Sequence, residues 1–159
     1  MFSDTFGVKI NRYSDRRDAS ARYSLTTSTR EYPHVVRLLN RYFEDNHSLP
    51  VTNTVRFPYT SISLNKAYAA RRHRDQRNEG PSMAKALGSF SMGGRLGYWR
   101  EDHGAWDVMA LPIEKRVWLD AYSQFQLFDG GRAHEVEPFK GERFSLVFFP
   151  VNVWTRVLF

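Results

Sequence analysis

From Val51 onward the apolar residues come in short bursts: "VTNTVRF", "TSISLN", "GRLGYW", "RVWLDAYSQFQLF", "AHEVEPF", "RFSLVFF" and "NVWTRVLF". Each is rich in β-branched or aromatic residues and is bounded by Gly, Pro or Asn, so strands recur about every ten residues. Only a sandwich or a barrel buries such a series around one core. One stretch has a different period. In "YPHVVRLLNRYFEDN" the apolar residues Val35, Leu38, Leu39, Tyr42 and Phe43 share one helical face, Pro33 stands near the first turn and "NHSLP" ends the run. The reading is a polar, irregular arm over 1–30, a helix over 31–47 and a β core over 51–159. "GPSMAKALG" is expected to add a short helical turn. The 159 residues suit a single domain with one core, with no internal repeat and no linker.

The formal net charge of +6 and a pI of about 9.8 favour an anionic partner such as nucleic acid. Twelve Phe, eight Tyr and four Trp can build a core, a stacking surface, or both. The absence of cysteine excludes disulfides, thiol catalysis and zinc sites of the cysteine type. No apolar run approaches the ~18 residues of a membrane span, and "MFSDTFGVKINRYSDRRDAS" lacks the apolar block of a signal peptide. The expectation is a soluble intracellular protein, cytoplasmic or nuclear.

The chemistry centres on "YAARRHRDQRNEGPS". Of the five histidines only His73 has a carboxylate two positions later, Asp75. In extended backbone these side chains point the same way and can offer a nitrogen and an oxygen to one metal ion. Taken alone, this stretch reads more readily as a surface histidine in a charged loop. His134 opens a later strand-like run, and nine residues on come Arg143 and Ser145. Two histidines and one carboxylate form the facial triad of non-haem Fe(II) oxygenases. An arginine with a hydroxyl two residues along the same strand face suits one carboxylate of a small dicarboxylate, held by a bidentate fork and a third hydrogen bond. Arg-x-Ser also occurs at Arg12 and Arg22, but only the Arg143 copy follows a histidine on a β pattern.

The order His73-x-Asp75, His134, Arg143-x-Ser145 resembles that of the Fe(II)/2-oxoglutarate dioxygenases, whose fold is a double-stranded β-helix of the jelly-roll, cupin-like kind. "HRDQRN" is similar to the His-Lys-Asp-Gln-His-Asn stretch of the ten-eleven-translocation methylcytosine dioxygenases, and "RFSLVFF" to their Arg-Ile-Ser-Leu-Val-Phe-Tyr strand. That branch, the TET/JBP family, includes the thymine hydroxylases of the base-J pathway. The resemblance runs from about Ser61 to Val151. It implies His73, Asp75 and His134 as Fe(II) ligands and Arg143 and Ser145 on the distal carboxylate of 2-oxoglutarate. It implies O2 as oxidant, with 2-oxoglutarate converted to succinate and carbon dioxide as a C–H bond is hydroxylated. Asn78 and Phe149 match residues that contact the flipped base. Arg71 and Arg77 are the candidates for gripping phosphates around it. The family's upstream cosubstrate arginine has no match here, and Asn65 and Tyr68 are the candidates for helping in its place. A base-contacting histidine of the methylcytosine enzymes is replaced by Val151, which shifts the expected preference toward thymine or a broader set of pyrimidines.

The residues leave two other readings open: a protein side-chain hydroxylase of the same superfamily, and a non-enzymatic β-barrel binding module. Within the arginine run, Arg74 is expected to face away from His73 and Asp75. Gly93 and Gly94 are expected to permit a close backbone approach, or to form a simple bulge. Phe144, Leu146 and Phe148 are expected in the core and His34 in a structural role on the helix. His103 and Asp107 are expected to be loop polarity rather than a second metal site.

Overall fold

The computed structural model describes residues 1–11, 22–47, 57–76, 78 and 80–151. The strand expected at 51–57 lies outside these residues except for Phe57, and the one expected at 152–159 lies wholly outside them.

The chain is organised about β9 (Lys140–Phe149), the centre of a large antiparallel sheet. On one side β9 pairs with β3 (Ser61–Lys66), which pairs in turn with β1 (Phe2–Ile10) and β2 (Tyr23–Leu25). On the other side β9 pairs with β4 (Pro81–Met92), followed by β7 (Gln126–Asp129). A smaller sheet holds β6 (Val117–Leu119), β5 (Leu96–Tyr98) and β8 (His134–Val136) in that spatial order. The two sheets pack face to face through Ala84, Leu96, Tyr98 and Phe128.

Helix α2 (Pro33–Asn46), preceded by the short α1 (Thr27–Glu31), covers the outer face of the large sheet. Pro33 occupies its first turn, as the sequence predicts. Leu39 and Phe43 drop into a cluster with Phe6, Ile62, Met83, Leu146 and Phe148. The Phe43 and Phe148 rings lie 4.4 Å apart, and Phe148 is 0% exposed. Val35 and Tyr42 flank this cluster, whereas Leu38 is exposed. Of the β9 stripe, Leu146 and Phe148 are fully buried and Phe144 is half-buried.

Two segments differ from the sequence reading. "GPSMAKALG" is not a helical turn: it lies almost wholly within β4. Ala, Lys and Leu favour helix locally, but nine cross-strand pairs with β9 decide the outcome. The first residues are not an irregular arm either. Phe2–Ile10 is a strand in register with β3, Phe2 opposite Lys66 and Gly7 opposite Ser61. Its sequence alternates, with Phe2, Phe6, Val8 and Ile10 apolar and Ser3, Thr5, Gly7 and Lys9 between them, but Asp4 interrupts the repeat and only Phe6 is deeply buried.

Candidate active site

The inner face of the large sheet and the small sheet enclose a cavity of about 260 Å³. Alternation along β9 turns Phe144, Leu146 and Phe148 toward α2 and Arg143, Ser145, Val147 and Phe149 toward the cavity. The β4 residues opposite three of these are small: Gly88 faces Arg143, Ala86 faces Ser145 and Ala84 faces Val147. Of the three, Ala84 lines the cavity, while a Cβ on Gly88 would run into the Glu142 carbonyl.

Residues 70–75 run antiparallel beside β8. The Val136 amide donates to the Ala70 carbonyl at 2.9 Å, and His73 and His134 exchange both backbone bonds at 3.0 Å. Three potential ligands therefore share one corner. Nε2 of His73 lies 3.6 Å from Oδ1 of Asp75, and Nε2 of His134 lies 3.9 Å from Oδ2 of Asp75. All three ligand atoms fall within 4.8 Å of one another, and this is the only such cluster among the described residues.

Each imidazole is oriented in the same way. Nδ1 of His73 donates to the Arg71 carbonyl at 2.7 Å, and Nδ1 of His134 donates to the Arg132 carbonyl at 2.9 Å. A carbonyl only accepts, so in the neutral rings both Nε2 lone pairs are free for a metal. Burial pushes the His134 pKa below its ordinary value, while the Asp75 carboxylate pulls that of His73 above it. Asn78 donates from Nδ2 to Oδ2 of Asp75 at 2.8 Å and so steadies the carboxylate. Two neutral nitrogens, one carboxylate and room on the cavity side fit a divalent iron.

The same cavity holds a charge with no counter-charge among the described residues. Arg143 is 3% exposed, and its Nε has no hydrogen-bond partner among the described residues. Its guanidinium lies 5.7 Å from the Phe90 ring centroid and 5.4 Å from that of Phe139. Burial pushes its pKa down to about 10. Gly94 makes room for it: a Cβ there would stand 3.1 Å from Nε and 2.7 Å from the Phe90 ring, at a φ of +79°. The neighbouring Gly93 brings the backbone against Pro138, the close approach expected from the sequence. Ser145 accepts from the Asn65 amide at 3.3 Å, and Asn65 and Tyr68 both line the cavity. Asn78 and Phe149 line it as well.

The arginine run divides. Arg74 does face away from His73 and Asp75, as its parity requires. It grips Asp102 with Nε at 2.6 Å and Nη2 at 2.7 Å. Arg72 stacks on Trp99 at 4.1 Å and pairs with Glu135. Neither is spare for a phosphate. Arg71 is exposed, and Arg77 lies outside the described residues. His103 and Asp107 are exposed and belong to no ligand cluster, and Asp107 caps the Met109 amide. His34 is exposed on α2. Val151 is buried and lines an adjoining groove together with Asn78 and Phe149.

Two residues were not visible from motifs. Asp102 lies in a loop remote in sequence from every ligand. Gly130 sits where a Cβ would come within 2.8 Å of Oδ2 of Asp75, so the carboxylate needs a glycine there. Its only sequence signal is the "DGG" turn just ahead of His134.

Together these features define a double-stranded β-helix carrying a His-x-Asp…His donor set on its inner face. No protein-family model and no curated protein matches the sequence. Solved structures do match. NgTET1 in complex with 5mC DNA aligns with 97% of this chain at a TM-score of 0.57 and 15% identity. An oxidoreductase of the 2OG-Fe(II) oxygenase family from Burkholderia pseudomallei aligns with 80% of it, at a TM-score of 0.49 and 20% identity. The chain covers 62% and 60% of the lengths of these two neighbours. The NgTET1 likeness establishes the fold as the double-stranded β-helix expected from the resemblance.

Proposed function

We propose that the protein is an Fe(II)- and 2-oxoglutarate-dependent dioxygenase that hydroxylates a nucleobase methyl group, thymine or 5-methylcytosine, in nucleic acid. One observation carries the reading. A single cavity presents three metal-ligating atoms and a buried guanidinium that no described residue pairs with. A protein does not leave such a charge uncompensated without a use for it, and an anionic chelator that also reaches the metal supplies the missing partner.

His73, Asp75 and His134 would hold iron, and Arg143 with Ser145 would hold the far carboxylate of 2-oxoglutarate. Iron, 2-oxoglutarate and O2 supply the oxidising chemistry when bound: decarboxylation to succinate coupled to hydroxylation of a C–H bond. The chain's residues orient and enclose. Ala84 leaves space at the cavity wall. Asn78 fixes the angle of Asp75 and keeps its amide oxygen for a substrate, and Phe149 offers a ring at the cavity wall. A nucleic-acid substrate is supported by the net charge of +6, by exposed Arg71 and by the DNA that the NgTET1 neighbour holds.

The test is incubation with Fe(II), 2-oxoglutarate and oligonucleotides bearing thymine or 5-methylcytosine, single- and double-stranded, at two salt concentrations. Succinate and an oxidised nucleoside, with binding that weakens steeply with salt, are the expected products and behaviour. Succinate with a hydroxylated peptide and no oxidised nucleoside would make this a protein hydroxylase. Absence of any succinate would leave a binding module.

A further inference from the structure

The His73–His134 ladder does not extend to the third ligand. His73 and His134 are a bonded pair, so an unbroken antiparallel register would place Asp75 opposite Arg132. The Asp75 amide instead donates to the Gly130 carbonyl at 2.8 Å, two residues further back. The turn that closes with the Arg132 amide on the Asp129 carbonyl takes up the slip. Backbone pairing thus fixes His73 to His134 and leaves Asp75 tied to a different part of the chain.

Asp102 spans this break. Its Oδ2 accepts from Nε of Arg74 at 2.6 Å and from the amide of Ala133 at 2.7 Å. Its Oδ1 accepts from Nη2 of Arg74 at 2.7 Å and from the Gly104 amide at 3.0 Å. Arg74 stands between the ligands His73 and Asp75, and Ala133 immediately precedes the ligand His134. Ala133 is fully buried, so its amide has no access to water in place of this bond. Arg74 also donates to the Trp106 carbonyl, which seats the loop that carries Asp102.

We propose that Asp102 is a positioning residue for the metal centre: a buried carboxylate that clamps the His73–Asp75 segment to the His134 segment where the backbone ladder slips, and so sets Asp75 against the two imidazoles. The inference rests on the metal-site reading above. Partners of this kind, which orient ligands without touching the metal, change metal affinity by about 10–100-fold.

The test is calorimetric titration of the apoprotein with Co(II), at a temperature where near-ultraviolet circular dichroism shows each variant folded. Asp102→Asn keeps the shape and loses the charge; it should bind about 10–100-fold more weakly than the parent. Arg74→Lys keeps the charge and loses the fork; it should fall between the two and carries the test even where Asp102→Asn does not fold. Phe43→Leu, in the cluster under α2, should lower the melting temperature and keep the parent affinity. Parent-like binding by Asp102→Asn, or by Arg74→Lys where that variant alone folds, would overturn the clamp, as would an equal loss in Phe43→Leu. If the parent itself shows no Co(II) binding that His134→Ala removes, the metal-site reading fails, and the clamp with it.

Discussion

The two faces of the large sheet are built by alternate residues of the same strands, yet they obey opposite rules. On the outer face Leu146, Phe148, Ile62 and Met83 meet Leu39 and Phe43 in a closed apolar cluster. On the inner face Arg143, Ser145, Asn65 and Ala84 line a cavity, and one guanidinium nitrogen has no partner among the described residues. The outer face holds the fold together. The inner face gives up packing and charge compensation to keep a site open. The lesson is that parity along β9 separates stability from function, and substitutions should separate the same way.

The largest effect belongs to the inner face. His134→Ala should abolish iron-dependent succinate formation, down to the level without protein, while the melting temperature of the apoprotein stays near that of the parent. A two-ligand site has weak affinity and the wrong geometry. Turnover that survives in this variant would remove His134 from the centre.

Phe148→Ala tests the other face of the same strand. It removes a fully buried ring that contacts Phe43, Tyr59 and Phe125, and should destabilise the fold by about 3–5 kcal/mol in urea titration. The protein that remains folded should keep the parent's affinity for 2-oxoglutarate. A selective loss of that affinity would break the division between the faces.

Arg143 sharpens the contrast. Arg143→Lys should raise KM for 2-oxoglutarate more than about tenfold, since a lost charge-assisted hydrogen bond is worth roughly 1.5–3 kcal/mol. Arg143→Met should melt no lower than the parent, because it removes a buried charge that no described residue pairs. A marked drop in melting temperature would make Arg143 a structural arginine like Arg74.

Arg74 and Asp102 give the pH counterpart. The Arg74 fork holds the Asp102 carboxyl down at about 2, against an ordinary 3.8. This lowered pKa contributes about 2 kcal/mol, fully present above pH 3.8 and lost as the pH falls toward 2. Urea midpoints at pH 5 and pH 2.5 should therefore fall further apart in the parent than in Asp102→Asn. Equal pH sensitivity in the two proteins would contradict it.

The legible parts of this molecule are those with local signals. The helical period of 33–46, the β9 alternation and the motif "HRD" all lie within a few residues, and the outward turn of Arg74 follows from parity alone. β4 was hidden because "MAKAL" carries helix-favouring residues. β1 was hidden although Phe2, Phe6, Val8 and Ile10 alternate with polar residues, because Asp4 interrupts the repeat and a polar, arginine-rich stretch follows it. Asp102 meets Arg74 and Ala133 across 28 and 31 residues, a pairing that only the folded chain shows.

The central claim is that the inner cavity binds a metal and 2-oxoglutarate together, with Arg143 as the anion's partner. The most direct measurement is anaerobic calorimetry of the Fe(II)-loaded protein with 2-oxoglutarate, for the parent and for Arg143→Met. The parent should bind only with the metal present, and Arg143→Met should bind at least about tenfold more weakly. Metal-independent binding, or equal affinity in the two proteins, would contradict it.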